Sequence, residues 1–383
     1  MTSVGIVQPI IPSYRQPVFA ELARRPGIDL TVYAPLGRSH GSLPGTGAVE
    51  DYATVDVPAR NAGPFVWDPG SLEAARAGHE VLILSWQPRA LFLRRALRTA
   101  RRLGVGTVLW RHGYSKNDSP MRRRLRLRPA RLADACLYYA PATAARAHLD
   151  GIEPGRAFSA PNAIDQSAIE AAKSKWVDAP GRLRAFQTSE GIDPERTLIF
   201  ISRIEEDKRL ELLLEAMRHV LEADPRMTLL VVGEGTARAS AEACSDSLGL
   251  GDSVRFLGAI YDEEELAGWC LSSICMTYPV AVGLSVMHAF GYGLPVLTSD
   301  DLASHNPEIN AIRDGVNGML YREGDVRSLA DAIIRLAGDP ELRRRMSGAA
   351  LDSVRGPDGW TVENMVDGFV RCIEAVQSMQ RRG

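Results

Sequence analysis

Two cations five positions apart, Arg203 and Lys208, follow the apolar run Leu198–Ile201. In a loop between a strand and a helix they can seat a diphosphate, because guanidinium and ammonium groups make charge-assisted hydrogen bonds to phosphate oxygens. The helix is legible behind them: Leu210, Leu213, Leu214, Met217, Val220 and Leu221 recur at i, i+3, i+4, i+7 spacing. Gly283-Leu284-Ser285 opens a second helix after the strand that ends near Thr277. Its unsatisfied N–H groups and positive dipole end favour phosphate. Gly233-Glu234-Gly235 directly follows the apolar run Thr228–Val232 and suits a tight turn with close backbone approach to a ligand. Each feature alone also fits a solvated surface or an ordinary helix start.

These residues need a scaffold, and the rest of the chain supplies its pattern. In the amino-terminal half, β-rich runs at Val4–Val7, Leu30–Tyr33, Val81–Leu84, Thr107–Trp110 and Cys136–Tyr139 alternate with helical runs at Pro17–Arg24, Ala90–Arg102 and Ala142–Leu149. In the second half, Leu198–Ile201, Thr228–Val232, Val254–Leu257, Ile274–Thr277 and Pro295–Leu297 read as strands, with a further helix at Val326–Ala337. Such alternation implies α/β domains with parallel, doubly wound sheets, whose ligands bind outside the carboxyl ends of the strands. Lys173–Arg184 contains Pro180 and Gly181, has no sustained periodicity, and is the expected hinge. The expected domains are residues 1–172, completed by about 360–383, and 185–355.

A length of 383 residues suits two domains, and 45% hydrophobic with 24% charged residues suits a soluble globular chain. The five cysteines show no zinc or redox spacing, so packed, reduced thiols are expected. No leader-like segment or membrane-length apolar run is visible, which predicts a cytoplasmic protein. The net charge of −2 conceals a polarity of +10 over residues 1–160 and −12 over the remainder. Arginines cluster at Arg94–Arg102 and Arg122–Arg128, a composition that can attract anionic lipid headgroups or a phosphorylated acceptor and place the protein at the inner membrane face. No aromatic platform accompanies them, so nucleic acid is not an expected partner.

Taken in order, Ser202-Arg203-x4-Lys208, Gly233-Glu-Gly235, Val254-Arg-Phe-Leu-Gly258, Gly283-Leu284-x3-His288-Ala-Phe-x-x-Gly293-x-Pro295 and Glu308-x6-Gly315-Val-Asn317-Gly318 resemble the nucleotide-sugar glycosyltransferases of family 4. The match is dense over about 195–325. Ala160–Asp165 resembles the family's Asn-Gly-Val-Asp segment, and Gly359-Trp360-Thr361 with Met365 and Phe369 its terminal helix, which returns to the first domain. The resemblance implies GT-B architecture: α/β, two facing Rossmann-like domains with a deep interdomain cleft. It also implies retaining, hexosyltransferase-like activity without a metal or other cofactor. Arg203 and Lys208 would grip the donor diphosphate and stabilise charge as it departs. Donor contacts are implied at Gly235, Gly258, Tyr261, Val282, Gly283, Leu284, Ser285 and His288. In the first domain, His112 would orient the transferring sugar, and Tyr14, Arg15, Lys116 and Asn117 would lie toward the acceptor.

One departure stands out. Family members commonly carry two glutamates eight positions apart around the glycine loop; here those positions are Val280 and His288. Imidazole can still hydrogen-bond ribose hydroxyls, whereas the Val280 side chain cannot donate or accept. The expected function is transfer of a sugar from a nucleotide diphosphate to a hydroxyl acceptor, a lipid-linked one included. A nucleotide-sugar epimerase or hydrolase on the same architecture, and a non-catalytic nucleotide-sugar-binding relative, fit the same residues.

Overall fold

The computed structural model describes residues 1–38, 45–112 and 119–382. The chain divides into two compact units, Met1–Asp165 with Thr361–Gly383, and Gln166–Trp360.

The first unit is built on β1 (Thr2–Val7), β2 (Ile28–Ala34), β3 (Ala53–Asp56), β4 (Arg60–Ala62), β5 (Phe65–Trp67), β6 (Val81–Ser85), β7 (Gly106–Arg111), β8 (Ala135–Tyr138) and β9 (Ala157–Ser159). Seven of these form a parallel sheet in the order β3-β2-β1-β6-β7-β8-β9, while β4 and β5 make a separate antiparallel hairpin. The central strands read as unbroken apolar runs because both faces of the sheet are covered. Val81, Leu82, Ile83 and Leu84 are all fully buried, their odd and even members serving opposite faces. The helix Val362–Arg382 also belongs here, far in sequence from the rest of the unit. Met365, Phe369, Cys372 and Val376 form its buried stripe, and the Phe369 ring sits 4.7 Å from that of Trp110. Gly368 permits the close approach: a Cβ there would lie 2.2 Å from the Ser159 carbonyl oxygen.

The second unit carries β10 (Thr197–Ile201), β11 (Thr228–Val232), β12 (Val254–Gly258), β13 (Cys275–Thr277), β14 (Val296–Ser299) and β15 (Gly318–Tyr321). They form one parallel sheet, ordered β12-β11-β10-β13-β14-β15. Each unit is therefore Rossmann-like. The strand order reverses between β1 and β6 in the first sheet and between β10 and β13 in the second, which are the places where open α/β sheets present a ligand crevice.

The stretch expected to be a hinge, 173–184, is instead mostly helical, within Ser167–Val177 and Pro180–Ser189. Aromatic anchoring accounts for the difference. Trp176 is buried, its ring lies 5.2 Å from that of Phe186, and Phe186 lies 4.9 Å from Trp269. Trp176 Nε1 also donates to the Glu264 carbonyl at 2.8 Å. These contacts fasten both helices to the second unit, which begins at Gln166 rather than beyond 184. The cysteines are free thiols, and burial pushes those of Cys136, Cys270, Cys275 and Cys372 well above their usual pKa.

Candidate functional site

The parallel order brings the loops after β10, β11, β12 and β13 to one edge of the second unit. The β10 loop is held from two sides. Ser202 N donates to the Val232 carbonyl at 3.1 Å, Ile204 N to the Glu234 carbonyl at 2.9 Å, and the Ser202 and Tyr278 hydroxyls bond at 2.6 Å. A short turn, Glu206–Lys208, and the left-handed Arg209 at φ 51° then start the helix Leu210–Ala223. Arg203 is exposed at the beginning of this loop.

Lys208 is the better-placed cation. Its side chain is only 11% exposed, and its Nζ donates to the Ala281 carbonyl at 3.3 Å, sits 5.7 Å above the Tyr278 ring and lies 3.4 Å from exposed Asp207. The bond to Ala281 joins the loops after β10 and β13, the two strands that flank the switch point.

Gly233 and Gly235 meet their steric demand inside the protein. A Cβ at Gly233, where φ is 149°, would fall 1.8 Å from the Ser202 carbonyl oxygen, and one at Gly235 would fall 2.2 Å from that of Ile204. The close approach read from this pair is thus to the backbone of the cation loop. Gly258 has φ 77° and accepts a bond from Gly233 N at 2.8 Å.

The segment after β13 is rigidly supported. Ala281 is left-handed at φ 58°, a conformation that costs a non-glycine residue about 1–3 kcal/mol and persists only where its surroundings enforce it. Val282 N donates to His305 Nδ1 at 3.2 Å, and the Val282 carbonyl accepts from Asn306 Nδ2 at 2.9 Å and Asn306 N at 3.1 Å. Because His305 Nδ1 accepts, its proton sits on Nε2, which faces the Ser299 hydroxyl at 2.9 Å and carbonyl at 3.1 Å. Gly283 and Leu284 then lead into the helix Ser285–Tyr292, where Val286 N and Met287 N donate to the Gly283 and Leu284 carbonyls at 3.0 Å, so the amides of 283–285 are the ones at its positive end. A helix start and Lys208 flank the same segment, so this edge is polarised for an anion.

His288, on that helix, bonds through Nε2 to Glu263 Oε1 at 2.7 Å, and Tyr292 OH donates to the same oxygen at 2.5 Å. Burial works to raise the Glu263 pKa, but the bonds from His288 and Tyr292 and the imidazole charge outweigh it and hold the carboxyl below its usual range. Tyr261 is 93% exposed, and Val280 is buried.

In the first unit, the turn Ser13–Arg15 follows β1. Arg15, expected toward an acceptor, is buried: Nη2 donates to Asn162 Oδ1 at 2.8 Å, Nη1 contacts Met365 Sδ at 3.2 Å, and the guanidinium lies 5.1 Å from the Trp110 ring and 5.6 Å from that of Tyr139. Aromatic faces and an amide thus hold the charge in the core, so Arg15 braces the loop from within. Tyr14 is half-buried, 5.4 Å from the same guanidinium. His112 follows β7, with its ring 5.0 Å from that of Tyr139. Lys116 and Asn117 lie outside the described residues. Tyr278, Ala281, Glu263, His305 and Asn306 were not singled out from sequence; only the acidic run Glu263–Glu265 after Asp262, a helix-start signal, marked any of them.

Residues 184–352 match the family model described as Glycosyl transferases group 1. That match lies within the second unit, Gln166–Trp360. Relatives include a phosphatidyl-myo-inositol mannosyltransferase of Mycobacterium leprae, 30% identical over 171 residues, or 44% of either chain. A D-inositol 3-phosphate glycosyltransferase of Kribbella flavida is 31% identical over 197 residues, 48% of this chain and 45% of the relative. The chain thus aligns with somewhat under half the length of these curated relatives. Among solved structures, Anabaena HepE in complex with UDP superposes with a TM-score of 0.72 at 15% identity, covering 98% of this chain and 100% of that one. WaaG, a glycosyltransferase involved in lipopolysaccharide biosynthesis, gives 0.63 at 15% identity over 95% and 98%. These likenesses establish the fold, GT-B.

Proposed function

We propose that this chain is a retaining glycosyltransferase that moves a sugar from a nucleotide diphosphate to an acceptor hydroxyl. One observation carries the reading: Lys208 reaches across the β10/β13 switch point to the Ala281 carbonyl at 3.3 Å, two residues ahead of the Gly283–Ser285 helix start. A departing diphosphate gains negative charge as the sugar–phosphate bond breaks, and preorganised cations and amide dipoles stabilise that charge. Arg203 adds a second, exposed cation at the loop entrance, and this reading requires no metal or other cofactor. In the proposed step the anomeric C–O bond to the diphosphate breaks and the acceptor oxygen bonds to that carbon on the same face. The acceptor's proton passes to the leaving phosphate, with His112 orienting the reacting groups.

The group 1 domain and the relatives' names support transfer chemistry, and the Kribbella and Mycobacterium proteins are named for inositol-containing acceptors. Here the nucleotide sugar and the hydroxyl acceptor are the proposed substrates. We further place the protein in the cytoplasm, at the inner face of the membrane. Exposed Arg94, Arg95, Arg98, Arg101 and Arg102, together with Arg122, Arg124 and Arg128 and exposed Met121 and Leu125, make a basic surface with apolar points that suits anionic lipid. Among the described residues no helix is long and apolar enough to cross a membrane.

Thermal unfolding with a panel of nucleotide sugars and free nucleotides tests the reading, since a ligand at 100 times its Kd adds about 2.7 kcal/mol of stability. Product analysis with the stabilising donor should show transfer only when an acceptor is present. Sugar epimerised without an acceptor would instead establish the epimerase reading, and binding without any product would mark a non-catalytic relative.

A further inference from the structure

Arg15 is a charge that the fold keeps out of water. It is 5% exposed, and among the described residues no carboxylate meets it. A guanidinium desolvated without an opposite charge is costly, so it persists only where several neighbours fix it. Asn162 Oδ1 and the rings of Trp110 and Tyr139 are such neighbours. Asn162 closes the group on itself, because its side chain accepts from Arg15 while its backbone N donates to the Tyr139 carbonyl at 3.0 Å. Asn162 lies just ahead of the point where the chain leaves the first unit, and Met365, another Arg15 contact, just after the point where it returns.

Tyr139 carries this rigidity outward. One neighbour of its half-buried ring is the guanidinium, 5.6 Å away; another is the His112 ring, 5.0 Å away and edge-to-face at 69°. Trp110, two residues before His112, packs on the same ring at 5.3 Å and is itself held by Phe369 at 4.7 Å. An aromatic contact of this kind restricts the ring torsion of the imidazole, and a group that orients reactants must be kept to one such setting. The donor contacts proposed for Lys208 and Gly283–Ser285 belong to the second unit, so a fault at Tyr139 changes turnover without touching them.

We propose that Tyr139 is a positioning residue for His112, acting through its ring, and that Arg15 is the buried pin that sets Tyr139. The inference rests on the glycosyltransferase reading, in which His112 orients the reacting groups.

Initial-rate kinetics with the stabilising donor and an acceptor test the proposal, on full-length variants checked for unchanged thermal unfolding. Tyr139→Leu should lower kcat about tenfold with the donor KM within about twofold of the wild type, because only orientation is lost. Tyr139→Phe keeps the ring and should hold kcat within about twofold of the wild type. His112→Ala combined with Tyr139→Leu should be no slower than His112→Ala alone, since a residue acting through His112 then has nothing left to position. Arg15→Lys keeps the charge but loses the planar fork, and should lower kcat about threefold at constant KM. Asn162→Ala releases the pin from its other side and reports the same loss if Arg15→Lys does not fold. Wild-type kcat in both would strike the role of Arg15. Tyr139→Leu with wild-type kcat or a raised donor KM, Tyr139→Phe as slow as Tyr139→Leu, or additive losses in the double variant would overturn the inference alone. A wild type without transfer, or His112→Ala with unchanged turnover, would overturn the glycosyltransferase role of His112 and this inference with it.

Discussion

Lys208→Met separates a diphosphate ligand from an ornamental surface charge. The substitution keeps an unbranched stem beside Tyr278 but deletes the ammonium that reaches the Ala281 carbonyl. Its effect on the fold should be small, because the only ion pair lost among the described residues, to Asp207, joins the lysine to a 64% exposed partner, and such pairs contribute about 0–1 kcal/mol. Its effect on the donor should be larger. A charged hydrogen bond to phosphate is worth about 1.5–3 kcal/mol, which corresponds to roughly a ten- to hundredfold loss in kcat/KM. The assay is initial-rate kinetics with the stabilising donor, run beside thermal unfolding of the same preparation. A variant that unfolds like the wild type and turns over within about threefold of it would refute the assignment of Lys208 to the diphosphate.

Glu263→Gln should raise the KM for the donor several-fold with little change in kcat, because the carboxylate holds His288 by its Nε2 rather than touching a reacting atom; kinetics with unchanged KM would detach this pair from donor binding. Stability should fall as pH drops below about 6.5, the unperturbed histidine value, because burial outweighs nearby Asp29 and lowers the pKa of His79 in the fold. The folded state then binds fewer protons than the unfolded chain at acid pH, and a pH series of unfolding midpoints should be steeper for the wild type than for His79→Gln. Arg122→Ser, Arg124→Ser and Arg128→Ser combined should weaken binding to anionic vesicles at low salt, read by flotation, with both proteins released as salt rises. Arg126 and Arg123 are unsuitable for that test, since Arg126 is buried and Arg123 pairs with Asp150.

The strands most plainly legible in the sequence are those covered on both faces. Val81–Leu84 and Leu198–Phe200 bury every side chain, so they stand out as apolar runs without alternation. The missed strands are short: Ala53–Asp56 has no buried residue, Ala157–Ser159 only half-buried ones, and Gly318–Tyr321 is four residues long and opens on a glycine. Trp176 shows the same limit for helices, as its partners Phe186 and Trp269 give 167–189 a home that no local periodicity announces. At the candidate site, Arg203, Lys208 and Gly283–Ser285 were legible because residue type and position carry the chemistry. Tyr278, His305 and Asn306 act through neighbours elsewhere in the sequence, so nothing local marked them, and Glu263 carried only a helix-start signal. Arg15, Tyr139 and Asn162 converge only once the loops after β1, β8 and β9 are assembled.

The central claim, that the β10 and β13 loops of the second unit hold a nucleoside diphosphate, is tested most directly by amide NMR titration of the labelled chain with UDP and GDP. Saturable shifts concentrated at 202–208 and 283–285, suppressed by Lys208→Met, are the predicted result. Saturable shifts confined to the first unit, or none with either nucleotide, would contradict it.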